Sequence, residues 1–207
     1  MKQTRTLSQM SHAARHRRGG CACRWLLCWM IVLFPWVQAA TWPPAIVEED
    51  GVRFERVGQG AFRWKRIVHA YDACLHAGAG AKPESLLADA PLRLEIRYRR
   101  DFSAADIVSG GVALLKRNVS PTTWTNIQSQ LGQLNRAYRD VKSDDRYVLT
   151  YVPDKGLTLR LNGAVLTNIP GAEFGPAYLR IWLGEQPMSI TLREKLLGRD
   201  PEKSANP

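Results

Sequence analysis

"PLRLEIRYRRDFSAADIVSGGVALLKRN", residues 91–118, changes its period part-way along. Up to Arg100 it alternates. Leu92, Leu94, Ile96 and Tyr98 fall on one side, and Arg93, Glu95, Arg97 and Arg99 on the other. A period of two predicts a strand with one face buried. Ser103 followed by Asp106 then has the form of an N-cap with an acid at N3, and predicts a helix to about Arg117. Gly110 and Gly111 inside that helix each cost about 1 kcal/mol relative to alanine. They point to a packing reason, close approach of the helix to a sheet.

Working outward, "IVEEDGVRFERV" (46–57) holds two strand-like pieces around Asp50-Gly51, a hairpin signal. "TWPPA" (41–45) before it is a stiff lead-in. A further strand is expected from about Arg63 to Leu75, then a loop, with a short helix from Pro83 through Leu87. Downstream, Ser120-Pro121 opens a second helix, with Trp124, Ile127, Leu131, Leu134 and Tyr138 as one apolar stripe read as core packing. "RYVLTYV" (146–152), "LTLRLNG" (157–163) and "AVLTNIP" (164–170) are strands, the last two joined at Asn162-Gly163. Residues 171–184 read as a helix ended by Gly184, and 189–198 as a last short helix. Strands, helices, strands, helices predict an α+β fold: one antiparallel sheet with helices on a face.

The chain has 207 residues and a formal net charge of +10. Six of its bases, Lys2, Arg5, Arg15, Arg17, Arg18 and Arg24, precede residue 40, where no acid occurs. The remainder carries 23 bases against 19 acids, an ordinary balance that gives no reason to expect nucleic-acid binding. The first 39 residues read as a secretory signal peptide. A basic start is followed by the 13-residue apolar run "WLLCWMIVLFPWV" and by small residues, with the cut after Ala39. A spanning helix needs about 20 apolar residues, so contact with a membrane is expected only during export. The domain is expected at 40–198, a flexible tail at 199–207, and the location is periplasmic or secreted. Cys21, Cys23 and Cys28 leave with the leader, and Cys74 alone cannot form an internal disulfide.

No motif assigns a catalytic residue. There is no Gly-x-Ser-x-Gly elbow and no phosphate loop, and "GQG" (58–60) precedes a strand instead of a helix. On an extended strand His69 points away from Asp72 and His76 unless a bulge intervenes, so no metal or cofactor is expected. The cations of "GAFRWKRIVHAY" (60–71) admit two readings. The first half of the strand extends into water, with long stems lying over the sheet, or one cation points inward to hold a ligand.

"GAFRWKRIVHAYDACL", "LEIRYRRDFSAADIV" and "LNGAVLTNIPGAEFGPAYLRIWLGEQPMSITLREKLLG" resemble, in order and spacing, the bacterial exported chalcone-isomerase-like family. The resemblance covers roughly residues 45–198, and its last block is the most specific. It implies an open-faced β-sandwich, a long antiparallel sheet under a layer of helices, with a ligand between the layers. Relatives are of two kinds, isomerases that close a flavanone ring and binders of fatty acids. The resemblance assigns Arg63 to the family's ligand-holding strand arginine, and Tyr71 to a ligand-facing position. Eight residues of flat strand span roughly 26 Å, so the pair would hold opposite ends of a ligand unless the strand bends. Where the plant enzymes carry a tyrosine, in the segment equivalent to "DFSAAD", this chain has Asp106, which weakens the isomerase reading. Non-catalytic binding of a small amphipathic anion such as a fatty acid is the leading expectation. A chalcone isomerase-type reaction and a ligand-free structural or interaction domain are the alternatives.

Overall fold

A computed structural model describes residues 42–48, 51–65, 67–82, 85–88 and 90–199. The expected leader and the tail beyond Arg199 lie outside the described residues. Among those residues seven strands form one sheet: β1 (Ala45–Val47), β2 (Arg53–Trp64), β3 (Val68–Gly78), β4 (Leu92–Tyr98), β5 (Arg146–Val152), β6 (Gly156–Leu161) and β7 (Ala164–Ile169). They lie side by side in chain order, every pair antiparallel. Helices α1 (Ala104–Asn118), α2 (Pro121–Asn126) and α3 (Gln128–Ala137) are inserted between β4 and β5; α4 (Phe174–Leu183) and α5 (Ile190–Leu196) follow β7. This is an α+β open-faced fold with a curled antiparallel sheet.

The period change at residues 91–118 becomes strand and helix as expected. Leu92, Leu94, Ile96 and Tyr98 are buried under the helices. Ser103 caps α1 by accepting the Asp106 N–H at 3.1 Å. Asn162 and Gly163 both take positive φ, as a two-residue hairpin of this twist requires.

Four expectations are corrected. The strand expected from Arg63 to Leu75 is two strands: the chain turns over at Lys65, whose φ is +49°, and the Ile67 N–H closes the turn on the Trp64 carbonyl. Charge accumulates there because a hairpin tip is wet on every side. The single helix expected across Trp124–Tyr138 is two, broken at Ile127, where φ and ψ of −91° and 1° leave the helical region. The apolar stripe still packs, with Ile127, Leu131, Leu134 and Tyr138 all buried. Residues 85–88 form a turn instead of a helix, Pro83 lying outside the described residues. Gly110 and Gly111 do not seat α1 on the sheet: a Cβ at Gly110 meets nothing within 4 Å, and one at Gly111 meets the Tyr178 hydroxyl at 3.5 Å. At that point α1 spans a hollow.

The glycines that do permit close approach are elsewhere. A Cβ on Gly58 would lie 2.1 Å from the Lys195 carbonyl oxygen, so the bare backbone of β2 lets α5 rest directly on the sheet. One on Gly175 would lie 2.2 Å from the Tyr151 ring, which holds α4 against β5.

The sheet's outer face is drier than alternation alone predicts, because the lead-in folds across it. The Pro43 carbonyl accepts from His76 Nε2 at 3.0 Å, and the Trp42 carbonyl accepts from Arg56 at 2.6 Å. The Trp42 ring lies 5.5 Å from the Arg146 guanidinium. Glu48 pairs with Arg93, and Arg93 and Arg146 both reach Glu95, which is buried. Burial of these charges is tolerable because each has an opposite partner.

Candidate functional site

Between sheet and helices lies a cavity of about 630 Å³. Its floor is aromatic. Phe62 from β2, Tyr71 from β3, Tyr98 from β4 and Tyr147 from β5 stand in a row across neighbouring strands. Ring centroids are 5.1 Å apart for Phe62–Tyr71, 6.0 Å for Tyr71–Tyr98 and 6.1 Å for Tyr98–Tyr147. Register produces the row. Phe62 pairs with Tyr71, Tyr71 with Tyr98 and Ile96 with Tyr147, and paired residues face the same side. Ile107, Gly110 and Gly111 of α1 and Tyr178, Ile181 and Trp182 of α4 close the roof. Trp64, 54% exposed, and Arg100 stand at the mouth.

The β2–β3 register slips between Phe62 and Arg63, which leaves Ala70 as an extra residue. This bulge re-aims side chains on both strands. Val68, Ala70 and Tyr71 all line the cavity. His69 is turned to the outer face, where its Nε2 lies 2.7 Å from Asp72 Oδ1. Arg99 holds the other Asp72 oxygen, with Nε at 2.6 Å. His69 and Asp72 were expected on opposite faces; the bulge reverses that, and Arg99 makes the result an ion-pair cluster.

The two residues singled out from sequence separate. Tyr71 is buried in the cavity wall, where its hydroxyl accepts from Trp182 Nε1 at 3.1 Å and donates to Met188 Sδ at 2.8 Å. Arg63 is exposed and is not among the lining residues; Phe62 and Trp64 on either side of it are. The turn at Lys65 removes the long strand that placed Arg63 and Tyr71 on one face. Among the described residues the cation at the cavity is Arg100, exposed at the mouth with Asp101 and Asp106. Sequence reading gave Arg100 no role, although the parity of Leu92, Leu94, Ile96 and Tyr98, carried two residues past the end of β4, puts it on the cavity side. It also missed Tyr98, which it placed correctly toward the core but took as packing.

The interior hydroxyls are held neutral. Burial pushes the Tyr178 phenol up to about 12, and raises Tyr71, Tyr98 and Tyr138 as well. The Tyr138 and Tyr178 hydroxyls share a hydrogen bond of 2.8 Å. Tyr147 donates to the Arg139 carbonyl at 2.9 Å and accepts the Arg139 N–H at 2.8 Å. The site is thus a large hollow rich in aromatic rings, with neutral polar points inside and, among the described residues, charge only at its entrance, the composition of a pocket for an amphipathic small molecule.

No curated protein matches the sequence. Among solved structures the chain is similar to an Arabidopsis thaliana fatty-acid binding protein, with a TM-score of 0.54 and 13% identity. The match covers 74% of this chain and 96% of that one. At that identity it is the fold that is alike. The family model described as chalcone isomerase-like matches residues 44–198, from the lead-in through α5. With that span and this layered architecture, the chain belongs to the chalcone isomerase-like family.

Proposed function

We propose that the protein binds a small, elongated amphipathic molecule in this cavity without transforming it. The carrying observation is the 630 Å³ hollow itself, walled by aromatic rings and entered beside Arg100, the one lining cation among the described residues. The apolar body of the ligand lies along the Phe62–Tyr71–Tyr98–Tyr147 floor. A carboxylate head, as in a fatty acid, rests at the mouth against Arg100. The name of the Arabidopsis relative supports a fatty acid as the first ligand to try. Binding is favoured over ring closure because Arg100 is solvated and shares the mouth with two acids, so it offers a developing oxyanion little stabilisation. We further propose that the protein acts outside the cytoplasm after loss of the leader, on the strength of the basic start, apolar run and small residues before Thr41.

Native mass spectrometry of the purified protein is expected to show retained mass, or uptake of added palmitate. Gly111→Phe, which pushes a ring into the hollow opposite Tyr178, is expected to abolish both. A wild-type protein that carries nothing and takes up nothing defeats the reading. N-terminal sequencing of the protein recovered from its producing cells checks the cut after Ala39.

A further inference from the structure

The cavity interior distinguishes among amphipathic ligands. A phenol hydroxyl can donate one hydrogen bond and accept others. Tyr71 and Tyr147 have both capacities engaged. The Tyr138–Tyr178 pair spends one of its two hydroxyl protons on its own hydrogen bond. The Tyr98 hydroxyl has no hydrogen-bond partner among the described residues. Its ring is 6% exposed and wedged between Tyr71, Phe102 and Tyr147, so the side chain is fixed in the cavity wall. The hydroxyl is also not one of the fully buried unpaired atoms, so it opens onto the cavity, where a ligand oxygen can take its proton. Tyr98 and the Tyr138–Tyr178 pair therefore present two unused O–H donors. The charged residues of the described lining, Arg100, Asp101 and Asp106, are all exposed. An anionic oxygen inside would lose its water with no cation to replace it.

We infer that the inner cavity recognises an uncharged, hydrogen-bond-accepting oxygen, a carbonyl or ether oxygen carried on an apolar frame, and that Tyr98 donates to it. The inference rests on the binding function proposed above and names the ligand chemistry that the interior selects. A charged head is compatible with it only at the mouth.

The test is a tryptophan-fluorescence titration of the full chain, since Trp64 and Trp182 both line the cavity. The probes are 2-pentadecanone, pentadecane and pentadecanoate. The ketone should bind about two- to tenfold more tightly than the alkane, the yield of one net hydrogen bond. Tyr98→Phe should bring that ratio close to one and leave alkane affinity unchanged. Without ligand, Tyr98→Phe should melt no lower than the wild type, because no internal hydrogen bond is lost; a lost ratio is then not unfolding. Equal affinity of wild type for ketone and alkane overturns the inference. So does a preference that survives Tyr98→Phe. Tightest binding of pentadecanoate, weakened by Tyr98→Phe, also overturns it, since the interior would then hold the anion. If all three probes fail to bind, the binding function falls and this inference with it; binding without preference sinks the inference alone.

Discussion

Tyr147 and Tyr98 sit on neighbouring strands and differ in what their hydroxyls do. Tyr147 joins the chain after α3 to β5 through two hydrogen bonds to Arg139. Tyr147→Phe removes two part-buried hydrogen bonds to the Arg139 backbone, and should lower stability by about 1 kcal/mol, read from urea denaturation. Arg63 and Arg100 separate in the same way. Arg63→Ala should leave affinity for a carboxylate ligand unchanged, and Arg100→Ala should weaken it by up to about fivefold, on the scale of an exposed charge pair of about 0.2–1 kcal/mol. A titration with palmitate at low and high salt checks both, since the Arg100 effect should shrink with salt. At this scale the sequence was only half legible. The parity of β4 put Tyr98 on the right face, but hydroxyl partnership depends on residues forty or more positions away, such as Tyr138 and Tyr178. Arg63 was misplaced because parity counts only while a strand stays straight, and a turn at a lysine with positive φ carries no glycine or proline to announce it.

Elements were read better than their ends. Caps and turn dipeptides are local chemistry, so Ser103, Ser120 and Asn162-Gly163 were recognisable where they stand. The break at Ile127 was not, because an apolar stripe continues through it undisturbed. The glycines are instructive. Gly110 and Gly58 look alike in sequence, yet one faces open space and the other a backbone carbonyl at 2.1 Å from its would-be Cβ. Gly110→Ala should therefore stabilise α1 by up to about 1 kcal/mol. Gly58→Ala should destabilise by roughly 1–3 kcal/mol, as overpacking does. Thermal melts of the two variants side by side check the contrast. Which glycine is which depends on α5 and the cavity, neither of them local to the glycine.

For the molecule as a whole, acid sensitivity should arise at the outer face. His76 is fully buried, and burial lowers its pKa below the usual histidine value, outweighing the Pro43 carbonyl that it bonds. Arg93 and Arg56 lower it further, while Glu95 opposes them; Cys74, beside it at 3.8 Å, is itself pushed up to about 12 by burial. The folded form holds the neutral ring, and the unfolded chain binds a proton near pH 6.5. Stability is therefore complete above that pH and declines as the pH falls from about 6.5 through the lower folded value. His76→Gln should be less stable at pH 8 but should flatten that slope, as urea titrations at a series of pH values would read. The strict chain order of the seven strands has a consequence for how the protein comes into being. A chain that emerges from its N-terminal end can add each strand to the one already out, the longest closure being the α1–α3 segment between β4 and β5. The half-made product is nonetheless only half roofed, because α1 is already out while Tyr178, Ile181 and Trp182 arrive only with α4. The ligand chamber is thus completed last, and until it is, the nascent sheet bares its aromatic floor to whatever chaperone or cargo is near.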